Sequence, residues 1–224
     1  MPGRDIVLAK NQYYHVFNRG VDSQKIFSCE RDYFQFLDRI AYYRNKNLTI
    51  RFSQLSDLPL SIKSEILSKL ANKKDFLIDI VAYCLMPNHF HFLLKQNLEN
   101  GISKFVSNFS NSYTRYYNIK HKRVGPILQG KFKAVLVNSD EQILHLSRYI
   151  HLNPYPSGIV KNIQELLIYP YSSMAEYLNK RKGICKTDII MEQFNDDNNY
   201  RKFVTDQADY QLNLQLIKKQ ILES

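Results

Sequence analysis

This sequence lacks long apolar runs and paired cysteines. Over one long stretch it also lacks acidic side chains. No run of about eighteen uncharged apolar residues occurs among its 224 residues, so the sequence offers no transmembrane helix. The N-terminal residues lack the apolar segment of a signal peptide. The three cysteines, Cys29, Cys84 and Cys185, form no C-x-x-C pair and are typical of a reducing compartment. We therefore expect a cytoplasmic protein that does not enter a membrane.

The acid-free stretch lies between Asn100 and Ser139, although the whole chain contains 21 acidic residues. We call it the basic window, and its basic residues are Lys104, Arg115, Lys120, Lys122, Arg123, Lys131 and Lys133. Aromatic residues are interleaved with these cations. Cations follow the phosphates of a nucleic acid, and rings stack on unpaired bases. Together with the net charge of +10, the window favours a nucleic acid partner, although core packing is the simpler interpretation of the aromatic residues alone.

Hydrophobic periodicity predicts strands and helices that alternate along the chain. Strands are predicted at residues 13–18, 77–85, 89–95 and 132–137, and helices at 29–45, 102–118 and from 140 up to Pro154. Residues 46–76 are polar and resemble an insertion with one short amphipathic helix. This order indicates an α+β fold with a ferredoxin-like or RRM-like antiparallel sheet and helices on one face. We expect a domain at residues 1–175 and a C-terminal helical extension at 176–224.

The clearest local pattern is His89-Phe90-His91 on a predicted strand. Side chains alternate along a strand, so both imidazoles project from one face, where they can bind a metal ion. Alone, the pattern is a weak signal, because two histidines on a solvated strand are common. The second pattern is Tyr149 and Asn153, which lie one turn apart on a helix and share a face. Tyrosine is a candidate nucleophile that a divalent cation on the phosphate would assist, and Asn153 is a candidate third ligand.

Three separated motifs, together with an opening segment, carry a family resemblance. They are MPNHFHFLL at residues 86–94, QGKFKA at 129–134 and RYIHLNP at 148–154, and the opening segment is YHVFNRG at 14–20. In this order they resemble the REP-associated tyrosine transposases, which belong to the single-tyrosine HUH transposase superfamily. The resemblance covers roughly residues 10–175. Asn153 stands where the wider superfamily usually has Gln, and Lys131 stands where relatives commonly have Arg.

The resemblance implies a site at which His89, His91 and Asn153 bind Mg²⁺ or Mn²⁺ and Tyr149 attacks single-stranded DNA. The attack would give a 5′-phosphotyrosine and a free 3′-hydroxyl, and strand transfer would need no ATP. The implied substrate is a palindromic hairpin, bound in the nucleoid by a monomer or a homodimer. The implied DNA surface is the basic window, with contacts from Arg115, Lys120, Lys122, Arg123, Lys131 and Lys133.

Two other functions stay open at this point. One is a hairpin-binding protein for DNA or RNA that has the same fold and no catalytic activity, since charge and aromatic content do not separate binding from cleavage. The other is a structural zinc module, which the sequence disfavours because it offers no set of four ligands.

Overall fold

The computed structural model describes residues 7–70 and 75–213. They contain a four-stranded antiparallel sheet with the spatial order β2-β3-β1-β4. The strands are β1 (Tyr13–Arg19), β2 (Ile78–Met86), β3 (His89–Gln96) and β4 (Lys133–Val137). The helices are α1 (Glu30–Tyr43), α2 (Leu60–Lys69), α3 (Gly101–Lys120), α4 (Asp140–Leu152), α5 (Ile163–Leu167), α6 (Met174–Tyr177), α7 (Asp188–Met191) and α8 (Asp197–Thr205). In the described ranges, no helix is long and apolar enough to cross a membrane.

The connectivity confirms the predicted fold class. Along the chain the order is β1-α1-β2-β3-α3-β4, with α2 inserted after α1. In space, the strands follow the order β4-β1-β3-β2 when the sheet is read from the β4 edge. This is the split βαβ arrangement of ferredoxin-like domains. Only Pro87 and Asn88 connect β2 to β3, so the histidine motif opens the second strand of a tight hairpin.

The chain divides into two compact units. The first unit contains residues 7–70 and 75–79 together with Pro87–His89 and Leu94–Leu136. Aromatic side chains of α1 and α3 form its core: Phe36 packs edge-on against Phe109 and Tyr113, with ring centroids 5.1 and 5.0 Å apart. The Tyr113 hydroxyl donates a 2.6 Å hydrogen bond to the Ile26 carbonyl. Burial of these rings fixes α3 on α1.

The second unit contains Ile80–Met86, Phe90–Leu93 and residues 137–213. Helix α4 packs in this unit against α8. Its core includes Ile143 and Ile150 of α4 and Tyr200 and Val204 of α8, all of them buried. The C-terminal segment thus contributes to the packing of the helix that carries Tyr149. The predicted domain boundary at residue 175 stays a prediction.

Candidate active site

The β2–β3 hairpin positions His89. Asn88 donates from Nδ2 to the Ser23 carbonyl at 3.0 Å, which turns its Oδ1 toward His89 Nδ1 at 2.6 Å. Because an amide oxygen only accepts, Nδ1 carries the proton and the lone pair of the neutral ring lies on Nε2. Burial lowers the pKa of His89 to about 4, and the positive charge of Arg19 adds to this effect. The imidazole is therefore neutral at physiological pH, the form that binds metals.

His91 lies two residues further along β3, in the second unit, and contacts Tyr149. The two rings meet edge to face, with centroids 5.8 Å apart and planes at 84°. His91 is buried, whereas the Tyr149 side chain is 41% exposed. The structure thus brings one predicted metal ligand against the predicted nucleophile, and it leaves the phenol accessible to a substrate.

Helix α4 sets the position of Tyr149. Its N-terminus is capped by Ser139, whose Oγ accepts a hydrogen bond from the Gln142 N–H, and acidic residues in the first turn favour the helix dipole. Ile143, Ser147 and Ile150 face the core. Tyr149 lies outside this buried stripe, which explains why a large aromatic residue stays exposed on an otherwise well-packed helix.

Asn153 follows the last residue of α4 directly. Both its backbone N–H and its side-chain Nδ2 donate to the Tyr149 carbonyl, at 3.1 and 3.3 Å. The amide group is buried. Since Nδ2 is committed to the helix end, Oδ1 is the atom of this side chain suited to binding a cation. The sequence expectation that residues 149 and 153 share one side of the helix end is consistent with these contacts.

The predicted metal donors are two imidazole nitrogens and one amide oxygen. Across residues 7–70 and 75–213, no group of three or more His, Cys, Asp or Glu side chains is placed to hold a metal ion. A carboxylate-rich or thiolate-rich site is therefore not formed by these residues. A donor set without negative charge fits an ion that keeps its Lewis acidity, because the ligands do not neutralise its charge. The neutral His89 with its proton fixed on Nδ1 fits such an ion.

Comparison with known proteins identifies the family. Residues 42–153, which are half of the chain, match the family model Y1_Tnp, described as "Transposase IS200 like". The chain belongs to the IS200-like transposase family. It also resembles a solved structure described as "Structure of the REP associates tyrosine transposase bound to a REP hairpin", with a TM-score of 0.51 and 14% sequence identity over 80% of this chain and 86% of that chain. This similarity shows a shared fold. A search of curated proteins found no match.

Membership of the IS200-like transposases assigns a general function to the chain. A transposase family acts on DNA and cleaves it, and this family is generally metal-dependent. The matched range also contains the four predicted site residues, since all of them lie within residues 42–153: His89, His91, Tyr149 and Asn153.

The predicted structural role of His151 in this transposase is confirmed. The ring is fully buried, and burial lowers its pKa to about 3. Its Nδ1 lies 2.7 Å from the Tyr200 hydroxyl, and its Nε2 lies 2.7 Å from Ser173 Oγ. The Tyr200 hydroxyl donates further to Ser147 Oγ at 3.1 Å. This polar network joins α4 to α8 and holds the helix that presents Tyr149.

Sequence reasoning did not find Tyr200 and Ser173, because each is more than twenty positions away from His151. The only local signal is the helical spacing of Tyr200, Phe203 and Val204, which marks one apolar face of α8.

Replacement of Tyr200 by phenylalanine should destabilise the protein by about 1–3 kcal/mol, because the hydrogen-bonding groups of His151 and Ser147 lose a buried partner. Urea unfolding followed by circular dichroism measures this change. Tyr210→Phe is the matched control, since Tyr210 is 61% exposed. Equal midpoints for the two variants would contradict the structural role of the network.

The predicted DNA contacts lie in the first unit. Five of them are exposed and Arg123 is partly buried. They are Arg115 and Lys120 on α3, Lys122 and Arg123 after it, Lys131 just before β4 and Lys133 at its start. Phe105, Phe109 and Tyr113 of the same window are fully buried. The packing interpretation of these three rings is therefore confirmed.

Lys120 differs from the other predicted contacts, because it has a carboxylate partner. Its Nζ lies 2.6 Å from Asp32 Oδ1, and the Asp32 side chain is fully buried. Burial acts to raise the pKa of Asp32, but hydrogen bonds from Lys120, the Ser28 N–H and the Tyr116 hydroxyl outweigh it and hold the pKa below its usual value. The basic window contains no acidic residue in sequence, but α1 places the Asp32 carboxylate next to it in space. The DNA contact predicted for Lys120 stays a prediction.

Proposed function

We propose that this IS200-like transposase cleaves single-stranded DNA at hairpin-forming repeats, with Tyr149 as nucleophile and a divalent cation, Mg²⁺ or Mn²⁺, bound by His89, His91 and Asn153. The single observation that carries the proposal is the edge-to-face contact of His91 with the exposed Tyr149 ring, at 5.8 Å. The contact supports the proposal because a metal-assisted attack of a phenol on a phosphodiester needs a metal ligand and an accessible phenol close together.

The bound cation would supply Lewis acidity by withdrawing charge from the scissile phosphate. The residues of the chain supply the nucleophile and hold it in position. The Tyr149 oxygen forms a bond to phosphorus as the bond to the 3′ oxygen breaks, and the phenolic proton is released to solvent. The leaving oxygen gains a proton and becomes a 3′-hydroxyl, while the 5′ end stays attached to Tyr149. Asn88 keeps His89 in one tautomer, and the His151 network keeps α4 in place.

The basic window supports the choice of DNA. Arg115, Lys122, Lys131 and Lys133 are exposed, and without acidic neighbours in sequence they suit contacts to phosphates. The similar solved structure is bound to a REP hairpin, and we extend a hairpin substrate to this chain as part of the proposal. Strand transfer by attack of a 3′-hydroxyl on the phosphotyrosine would be the reverse of cleavage. We place this activity at the nucleoid of the cytoplasm, with a monomer or a homodimer as the active species.

Chelation of divalent cations should abolish cleavage and spare binding. A labelled DNA hairpin with a single-stranded flank, incubated with protein and Mn²⁺, should give a protein–DNA adduct that survives denaturing electrophoresis. EDTA should reduce the adduct to background, because the attack loses its Lewis acid.

The same mixtures, tested by fluorescence anisotropy, measure binding without cleavage. Retained binding in EDTA would show that the metal is needed for the chemical step. A protein that binds the hairpin equally with and without metal and never forms the adduct would be a non-catalytic hairpin-binding protein, and the proposed cleavage would be wrong.

A further inference from the structure

A cavity of about 1100 Å³ lies in the first unit, where α1 and α3 face the insertion. We call it the insertion cavity. The insertion contributes Arg51 and Lys63 to its lining, and α3 contributes Asn111 and Arg115. The volume is slightly larger than the roughly 300–1,000 Å³ of sites that hold small organic ligands. None of the proposed catalytic residues lines it, so the cavity is a separate feature of the molecule.

The insertion wall of this cavity is fixed in place. The Arg39 guanidinium lies over the Phe52 ring at 4.6 Å and over the Tyr116 ring at 5.0 Å, so one buried cation connects α1, the insertion and α3. The Tyr42 hydroxyl donates to the Ile50 carbonyl at 2.7 Å. Leu55 of the insertion is buried. The cavity is therefore part of the folded structure and its lining is pre-organised for a ligand.

The lining carries a large excess of positive charge. Among the described residues that line it, Asp38 is the one carboxylate, and the cationic residues are Arg31, Arg39, Arg44, Arg51, Lys63 and Arg115. In the part of the chain that the structure describes, no ion pair involves Arg51, Lys63 or Arg115. The Asp38 carboxylate interacts electrostatically with Arg39 and Lys63, but one carboxylate does not neutralise six cations. A concave surface with a net positive charge attracts a polyanion. A phosphate-bearing ligand fits this chemistry.

The cavity continues along α3 into a second depression of about 470 Å³, since both are lined by Asn111, Arg115 and Ile119. The second depression also contains Asn118 and Arg123. Asn118 Oδ1 and Arg123 Nη1 are buried and have no hydrogen-bond partner among the described residues. Buried polar atoms without partners are rare in folded proteins, and a bound ligand or water would satisfy them. We call the insertion cavity and this depression together the α3 groove.

We propose that the α3 groove binds an unpaired DNA strand that flanks the hairpin, an inference that rests on the proposed function. The groove is elongated: Asn111 and Asn118 are seven residues apart on α3, about 10 Å along the helix axis. This shape suits a strand more than a compact free nucleotide. Guanidinium groups would contact successive phosphates, and the amides of Asn111 and Asn118 can hydrogen-bond to base edges. The insertion would then serve to extend the DNA-binding surface.

Anisotropy measurements in EDTA test this proposal with two probes, a blunt hairpin and the same hairpin with a single-stranded oligothymidine arm. The wild-type protein should bind the armed hairpin more tightly. Lys63→Gln should weaken binding of the armed hairpin on the order of tenfold at low salt and lower the salt slope by about one, with little change for the blunt hairpin. Arg51→Gln should also weaken binding of the armed hairpin and change binding of the blunt hairpin little.

Lys69→Gln is the matched control, since Lys69 is on the same helix as Lys63, lies outside the lining and pairs with Glu65 at 2.6 Å. Urea midpoints should be equal for all variants. Equal weakening by the Lys63 and Lys69 changes would indicate general electrostatic attraction and overturn the proposal. Displacement of the arm by free thymidine triphosphate at similar concentration would indicate a mononucleotide site and also overturn it.

The proposed function and this inference fail in different ways. A wild-type protein that forms the Mn²⁺-dependent adduct but binds armed and blunt hairpins equally well would leave Tyr149 cleavage intact and rule out a strand in the α3 groove. A protein that binds neither probe would contradict both.

Discussion

Replacement of Tyr149 by phenylalanine should eliminate the covalent protein–DNA adduct, with a fall in its rate of formation of at least about a thousandfold. The change removes one oxygen atom, the proposed nucleophile, and keeps the ring that contacts His91. Because the side chain is 41% exposed and lies outside the buried stripe of α4, folding and hairpin affinity should be preserved. Denaturing electrophoresis of a labelled hairpin in Mn²⁺ measures the adduct, and anisotropy measures the affinity.

Tyr210→Phe is the control for this experiment, because it removes a hydroxyl from another exposed tyrosine of the same unit. It should form the adduct at the wild-type rate. An adduct that persists in the Tyr149 variant would assign the nucleophile to a different residue, and mapping of the labelled peptide would then identify it.

His91→Phe should reduce the rate of adduct formation by about 100-fold or more, since loss of a direct metal ligand is expected to cost at least as much as loss of an outer-shell partner. Phenylalanine retains an aromatic ring against Tyr149 and removes both nitrogen donors. The substitution therefore separates a ligand role from a packing role. Rates measured across a Mn²⁺ titration should show a weaker apparent metal affinity.

The matched control is His145→Gln, because His145 is an exposed histidine on the helix that carries Tyr149. It should retain the wild-type dependence on Mn²⁺. If His91→Phe kept full activity at the same Mn²⁺ concentration, packing against Tyr149 would be the function of His91, and the ligand assignment would fail.

The sequence predicted much of the fold because local patterns carry it. The strand pattern of the sequence predicted both ends of β1 and β3 to within one residue. Pro154 correctly predicted the end of α4. A connection between β2 and β3 was implied by the predicted strands at 77–85 and 89–95, and the structure shortens it to Pro87 and Asn88, because Met86 belongs to β2. The amphipathic helix of the insertion appeared as α2. Each of these predictions depends on residues that lie within a few positions of one another in the sequence.

Three of the features that sequence reasoning missed depend on residues that are distant in sequence. Asp32 pairs with Lys120 from 88 positions away, and no count of charges along the basic window reveals it. Tyr200 reaches His151 from 49 positions away. The insertion cavity depends on three separate segments that meet only after folding. Local periodicity gives the face that a residue occupies, but it does not give the partner that the face meets.

Helix α4 separates two roles. The proposed nucleophile, Tyr149, is at the surface, and His151, which hydrogen-bonds to Tyr200 and Ser173, is in the core. In a mutational scan that selects for cellular protein abundance, position 149 should tolerate many residues and position 151 few. In a scan that selects for DNA cleavage, both should be intolerant. The difference between the two scans would reveal the nucleophile without any assumption about the reaction.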